Sequence, residues 1–338
     1  MTVTQQSICI AGAGSIGCFV GGMLAAGGHR VSLLARPRII AEIEAHGLSV
    51  TSFEGLSHRL DAASVVLSAE PDILGAADVI LVTVKSADTA DIAGLIAQHA
   101  RPVATIISLQ NGVGNVDVLR RVLPGRKVLA GMVPFNVVAL GEAKFHRATS
   151  GDILVERDDA DTAARLALNG LAIRATDNIA GVQWGKLVVN LNNALNALSG
   201  LPLREQVLHR SWRKLLADQM AEALAVIGAE GIEPVPTTPL PMWLTPHLLR
   251  LPDGVFRLLL GQMMQIDPQA RSSMWEDLQR GRRTEIDYLQ GVIVELADRR
   301  GLKAPLSRRI VELIRQAEAD AKGSPGLNVD AVRGAGQG

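Results

Sequence analysis

Lys186, Asn190 and Asn193 stand at i, i+4 and i+7 in the run Trp184-Gly185-Lys186-Leu187-Val188-Val189-Asn190-Leu191-Asn192-Asn193. On a helix that spacing puts all three on one face. Leu187, Val188 and Val189 lie between them. An ammonium and two amides thus share an otherwise apolar helix, which is costly to bury without hydrogen-bond partners. A lysine snorkelling from a partly exposed helix would leave the same pattern. A second set runs from Ser272 to Asp287: Ser273 and Asp277 are one helical turn apart, and Glu285 lies two turns on, off that face if the helix is unbroken. Taken alone it reads as a charged helix. A third set, Lys85 and Asn111, closes the apolar runs Val82-Thr83-Val84 and Leu109-Gln110. Ligands of open α/β sheets collect at the C-terminal strand ends, where both residues fall. Asn111 before Gly112 is also what an ordinary turn would use.

The elements that position these residues begin with Ser7–Arg36. An apolar run (Ile8–Ala11) meets Gly12-Ala13-Gly14-Ser15-Ile16-Gly17, a helix-compatible segment follows, and a second apolar run spans Val31–Leu34. Strand, glycine turn, helix and strand make a dinucleotide-binding signature. Gly12 permits the tight turn, Gly14 the approach of a pyrophosphate and Gly17 the seating of the helix on the sheet. Free N–H groups of the first helical turn then face the phosphates. The acidic residue that usually binds the ribose of NAD is absent, and Arg36 stands in its place. A guanidinium forks onto a 2′-phosphate, so the residue points to NADP(H); a solvated arginine at a strand end is the plainer alternative.

Further buried-strand runs are Val79–Val84, Val103–Leu109 and Val128–Val133, with helices at Ile16–Ala26, Ala87–His99 and Val116–Val122. Leu48–Thr51 and Ser57–Leu60 read as a hairpin around Gly55. Lys144–Arg147 and Asp152–Val155 read as another around Gly151. After Asp177 only helices are expected: Val182–Leu198, Ser211–Ala229, Gly254–Met264, Ser272–Asp298 and Ser307–Lys322. Six of the 15 prolines fall in Pro234–Pro252, a stiff, irregular connection. The expected fold is α/β: a doubly wound Rossmann-type domain (1–177), an all-helical substrate and catalytic domain (178–322) and a loose tail (323–338).

Composition narrows the partners. Lys plus Arg and Asp plus Glu are 34 each, and only four Trp, five Phe and one Tyr occur, so a nucleic-acid surface is not expected. Met1–Gly28 carries no charged side chain, but glycines interrupt it and no basic segment opens it, so no membrane segment is expected. Cys9 and Cys18 form no disulfide framework and fit a reducing cytoplasm. The seven histidines show no ligand spacing, and no metal is expected. A homodimer is compatible with the sequence.

The GAGSIG turn, the LQNGVG segment, the W-G-K-x-x-x-N helix and SSMWEDLQRGRRTEIDYLQG together resemble the ketopantoate reductase (2-dehydropantoate 2-reductase) family over nearly the whole chain. The resemblance implies a Rossmann domain followed by a helical one. It also implies reduction of ketopantoate to pantoate by NADPH, on the way to pantothenate and coenzyme A. Lys186 is similar to the family's catalytic lysine and Glu285 to its active-site glutamate. Asn111, Asn190, Ser273 and Asp277 match substrate- or cofactor-contacting positions, and Lys85 and Arg36 match positions that meet NADPH. Two positions depart. Ala194 stands where the family often has a second asparagine, with Asn193 one residue early, and Ala270 replaces a substrate-binding asparagine. Both lie on the substrate side. A small 2-keto acid is therefore the expected substrate, ketopantoate first. A dehydrogenase of another 2-hydroxy acid, mandelate-like or branched-chain, is the alternative, and a non-catalytic NADP-sensing module a more distant one.

Overall fold

The computed structural model describes residues 5–236, 240–260 (Leu260 by its backbone alone) and 270–334. The chain divides into two units, Met1–Ala180 and Gly181–Gly338.

Among the described residues of the first unit are twelve strands: β1 (Ser7–Ala11), β2 (Arg30–Leu34), β3 (Leu48–Ser52), β4 (Ser57–Leu60), β5 (Val66–Ser68), β6 (Val79–Val82), β7 (Thr105–Ser108), β8 (Val128–Met132), β9 (Val137–Ala139), β10 (Lys144–Arg147), β11 (Ile153–Glu156) and β12 (Ile173–Thr176). Eight of them form one sheet in the order β12-β11-β8-β7-β6-β1-β2-β5, and β4-β3-β10-β9 form a second. Strands β6, β7 and β8 are buried throughout, which is why they read as unbroken apolar runs. Strand β1 pairs in parallel with both β2 and β6, so the strand order reverses beside it. That reversal opens a crevice at the strands' C-terminal ends.

Helices α1 (Ser15–Ala26), α2 (Pro37–His46), α3 (Thr89–His99), α4 (Asn115–Val122) and α5 (Thr162–Leu166) accompany the strands. Phe19 of α1 packs edge-on against Phe135 with ring centroids 5.7 Å apart, among buried Ile8, Ile10 and Leu33. Both cysteines are free; burial pushes Cys9 up to about 11 and Cys18 to about 12, so neither is poised as a nucleophile.

The Leu48–Leu60 hairpin forms, with β3 antiparallel to β4. The hairpin expected around Gly151 does not. Strand β10 is taken by β3 and β9, while β11 pairs with β8 and β12 in the other sheet. Gly151, at φ +126°, passes the chain between sheets rather than folding it back. Ile153 and Val155 are then buried in the large sheet. Alternation over four residues cannot tell these partners apart.

The second unit is helical: α6 (Ile179–Asn190), α7 (Asn192–Ser199), α8 (Leu203–Leu208), α9 (Arg210–Ala229), α10 (Thr245–Leu249), α11 (Asp253–Leu260), α12 (Ser273–Gln279), α13 (Gln290–Arg300), α14 (Pro305–Asp320) and α15 (Val329–Arg333). Three expectations need correcting. Val182–Leu198 is two helices that part at Leu191, whose carbonyl accepts from Gln290 Nε2 at 2.8 Å. Ser272–Asp298 is not one helix either: Gly281, at φ +59°, stops α12, and a 3₁₀ turn (Ile286–Tyr288) precedes α13. The segment expected as a loose tail is tied down as far as Gly334. Ser324 Oγ donates to the Ala197 carbonyl at 2.6 Å, Arg333 pairs with Asp218, and Val332 is fully buried. The apolar stripe that does this is one residue wide, too short for periodicity to detect. Within the proline-rich connection, residues 240–252 hold a 3₁₀ turn and α10; residues 237–239 lie outside the described residues, as do 261–264 of the expected helix Gly254–Met264.

Candidate active site

In the first unit the glycine turn is built by contacts that exclude side chains. Gly12 has φ +105°, and a Cβ there would meet Val84 Cγ1 at 2.5 Å and Val84 N at 2.7 Å. A Cβ on Gly17 would meet the Gly12 carbonyl and Thr83 Oγ1, each at 2.7 Å. Thr83 Oγ1 also donates to the Gly12 carbonyl at 2.7 Å and fixes the turn from the neighbouring strand end. Ala13 is buried, its N–H donating to the Leu34 carbonyl at 3.1 Å. Gly14 is the opposite case: it is exposed, and no atom lies within 4 Å of the position a Cβ would take. It caps α1 with no side-chain hydrogen bond, and Ser15 and Ile16 make up the first turn beside it. The open side and the first-turn N–H groups have the form of an anion cradle. Arg36 lies two residues past the end of β2 and is exposed, whereas Arg38 is engaged by Glu42.

Lys85 and Asn111 stand half-buried after the adjacent parallel strands β6 and β7. A buried polar network joins their loops. Ser86 Oγ donates to the Asn111 carbonyl at 3.0 Å, and Asn115 Nδ2 donates to the same carbonyl at 2.8 Å. Thr89 Oγ1 donates to Asn115 Oδ1, Gln110 Nε2 to Thr89 Oγ1, and Ser108 Oγ to Gln110 Oε1. A fully satisfied network of this kind fixes loop geometry. Sequence reading passed over Ser86, Thr89 and Asn115; an Asn, a Ser and a Thr near strand ends carry no periodic signal.

In the second unit Lys186 sits half-buried on α6. Burial lowers its pKa from 10.5 to about 8, and the charge of Glu285 opposes that shift. The Glu285 backbone is held from both sides: Thr284 N–H donates to Glu318 Oε1 at 2.7 Å, Thr284 Oγ1 accepts from Ile286 N–H at 3.2 Å, and Glu285's carbonyl accepts from Tyr288 N–H at 3.0 Å. The broken helix is therefore what delivers Glu285 to Lys186. An unbroken one would have carried it off the Ser273–Asp277 face.

Asn190 and Asn193, both half-buried, flank the parting at Leu191. Ser272 ties α12 to this place. Its Oγ donates to the Asn193 carbonyl at 3.0 Å and caps α12 by accepting from Trp275 N–H, while its own N–H donates to Asn196 Oδ1 at 2.9 Å. Asn196, fully buried, also donates to Gln206 Oε1, and Gln206 Nε2 reaches Asn192 Oδ1. Ser273 is exposed and Asp277 half-buried one turn on. Beside Lys186, Gly185 has no room for a side chain: a Cβ would lie 1.8 Å from the Val235 carbonyl, and Val235 N–H donates to the Gly181 carbonyl at 2.8 Å. The Pro234-Val235-Pro236 strap thus rests directly on the helix that carries the lysine.

Two family models match this chain: the one described as ketopantoate reductase PanE/ApbA over residues 8–159, and its C-terminal counterpart over residues 178–318. The chain belongs to the ketopantoate reductase family. The 2-dehydropantoate 2-reductase of Halobacterium salinarum is 28% identical over 325 residues, spanning 93% of this chain and 99% of that protein. A crystal structure of a PanE/ApbA family ketopantoate reductase from Ralstonia eutropha JMP134 superposes with a TM-score of 0.80 at 33% identity, covering 94% of this chain and 99% of that one. D-mandelate dehydrogenase, solved with NADH and anilino(oxo)acetate, shares the fold: TM-score 0.77, 23% identity, 93% and 99% coverage. Members of this oxidoreductase family pair an α/β unit with a helical one, as here. Among the described residues no group of three or more His, Cys, Asp or Glu is arranged to hold a metal ion, and no helix is long and apolar enough to cross a membrane.

Proposed function

We propose that the protein is an NADPH-dependent 2-keto acid reductase, with ketopantoate its foremost substrate. One observation carries the reading: a lysine whose burial brings its pKa to about 8, facing one carboxylate, on a helix that also bears Asn190 and is followed after Leu191 by the helix that bears Asn193. A general acid works best with a pKa near the working pH. The residues of the glycine turn suit a dinucleotide: Gly14 leaves its open side free, and Gly12 and Gly17 admit no side chain. Gly12, Ala13, Gly14, Ser15, Ile16 and Gly17 would hold the pyrophosphate, Arg36 the 2′-phosphate, and Lys85, Asn111 and Glu285 would also contact the cofactor. NADPH, when bound, supplies the hydride to the keto carbon.

The chain's own part is electrostatic and acid–base. As hydride arrives, negative charge grows on the substrate oxygen, and the Lys186 ammonium stabilises it and passes it a proton. Glu285 keeps Lys186 charged and oriented. Asn190, Asn193, Ser273 and Asp277 position the acid's carboxylate and hydroxyl groups. The measurement is loss of NADPH absorbance with ketopantoate against a panel of 2-keto acids. Turnover of ketopantoate well above the rest supports the reading, and no turnover of any member would sink it. Ala194 and Ala270 favour a second reading, a dehydrogenase of another 2-hydroxy acid, because each removes an amide on the substrate side. Faster turnover of an aromatic or branched-chain keto acid would select it.

A further inference from the structure

Two arginines of the helical unit lie against aromatic rings and differ in one respect. Arg213, almost fully buried, stacks 4.0 Å from the Phe256 ring centroid. All its nitrogens are used: Nε on the Leu249 carbonyl, Nη1 on the Val207 and Leu208 carbonyls, and Nη2 on the Leu251 carbonyl and Asp253 Oδ1. Its charge is matched and its role is structural. Arg271 lies 5.1 Å from the Trp275 ring centroid, half-buried, and its buried Nη1 has no hydrogen-bond partner among the described residues. Among the described residues no carboxylate pairs with it. A desolvated guanidinium nitrogen without an acceptor is expensive, and a cation–π contact offsets only part of that cost.

The position of Arg271 is fixed from both sides. The Ala270 carbonyl accepts from Leu203 N–H at 2.9 Å, and Ser272 bonds Asn193 and Asn196. Arg271 is therefore one residue from the contact that joins α12 to Asn193, and two from Ser273. Ala270 offers no polar side chain, so polar recognition along this stretch falls to the arginine and the serines. Planar, bidentate recognition of a carboxylate is the chemistry a guanidinium does best.

We infer that Arg271 is a substrate-binding residue that receives a carboxylate group of the keto acid. The inference rests on the reading of the protein as a 2-keto acid reductase. The carboxylate has two sources: the group next to the keto carbon, present in every such substrate, or a second carboxylate at the far end of a dicarboxylic one.

The test compares wild type, Arg271→Leu and Arg271→Lys with ketopantoate and 2-ketoisovalerate (one carboxylate) and with 2-ketoglutarate and oxaloacetate (two). KM is read from NADPH oxidation, and binding of each acid to the NADP-loaded protein by calorimetry. Arg271→Leu should raise KM and Kd by about 10- to 150-fold, the span of one charge-assisted hydrogen bond. Arg271→Lys, which keeps a point charge without the fork, should raise them less. NADPH affinity should not move. A rise for all acids assigns the reacting carboxylate, and a rise confined to the dicarboxylic acids assigns the second. Values within about twofold of wild type for every acid overturn the inference and leave the reductase reading standing. Binding that weakens in Arg271→Leu, with no turnover by wild type, supports the inference and removes the reductase reading. No binding of any acid by wild type overturns both.

Discussion

The glycine turn and the lysine helix hold polar groups in place by opposite means. The turn is a backbone device. Gly12, Gly14 and Gly17 act through what they lack, and every part lies within six residues plus one threonine from the next strand end. The lysine helix is a side-chain device. Lys186 is tuned by Glu285, 99 positions away, and Asn193 is fixed by Ser272 through a network that runs on to Asn196, Gln206 and Asn192. A backbone device tolerates change wherever no side chain is required and fails wherever space is absent. A side-chain device fails by losing partners.

The largest effect should come from the side-chain device. A positioned general acid contributes roughly 10²–10⁴-fold, so Lys186→Ala should lower kcat by about that factor while NADPH binding persists. Lys186→Arg should not restore the rate, since a guanidinium does not release its proton near neutrality. Near-normal kcat in a folded Lys186→Ala protein would erase the distinction between the two regions, leaving only a cofactor site.

The backbone device is broken by contrast within itself. Gly12→Ala meets the Val84 backbone at 2.7 Å with φ at +105°, and should lower Tm sharply. Gly14→Ala enters open space at an ordinary φ of −85°, so Tm should hold while NADPH affinity falls by roughly 10- to 100-fold, as expected where backbone must approach pyrophosphate. Equal affinity in Gly14→Ala and wild type would mean that the open side faces no ligand. Arg36→Ala should weaken NADPH about 10- to 150-fold and NADH little, a charge-assisted bond being worth roughly 1.5–3 kcal/mol.

Support for the side-chain device is tested by Asn196→Ala. It strands the Ser272 N–H and Gln206 in a fully buried place, and should cost about 1–3 kcal/mol in denaturant unfolding. KM for the keto acid should rise as α12 loosens, with NADPH affinity unchanged. Smallest is the pH effect. As the proposed general acid Lys186 acts protonated, so kcat should be level below about pH 8 and decline above it. Stability runs the other way. The folded lysine holds its proton less tightly than the unfolded one, so its penalty is full below about pH 8 and fades as pH climbs toward 10.5. Lys186→Met should therefore gain roughly 1–2 kcal/mol at pH 7, and the gain should shrink toward pH 10.

The two devices also differ in how much of them a sequence displays. Strands β1, β2, β6, β7 and β8 and the glycine turn were legible because buried parallel strands and a local turn leave contiguous signals. Strands β5, β9 and β12 were not, at three or four residues each, and the sheet taken by Asp152–Val155 depended on partners far along the chain. In the second unit the residue types of Lys186, Asn190, Ser273 and Glu285 were visible. The stop at Gly281 that swings Glu285 out of helical register was written only as one glycine among charges. Ser272, Asn196 and Gln290, which hold the pieces together, carry no pattern because each acts on a segment distant in sequence.

The contact between Gly185 and Val235 has a consequence for how this protein can change. With the strap's carbonyl filling the space a methyl group would need, the residue before the lysine and the course of residues 234–236 constrain each other. Grafting a different connection here to alter substrate choice would reshape the seat of Lys186 at the same stroke. Selectivity and turnover should then shift together in any library that varies the strap.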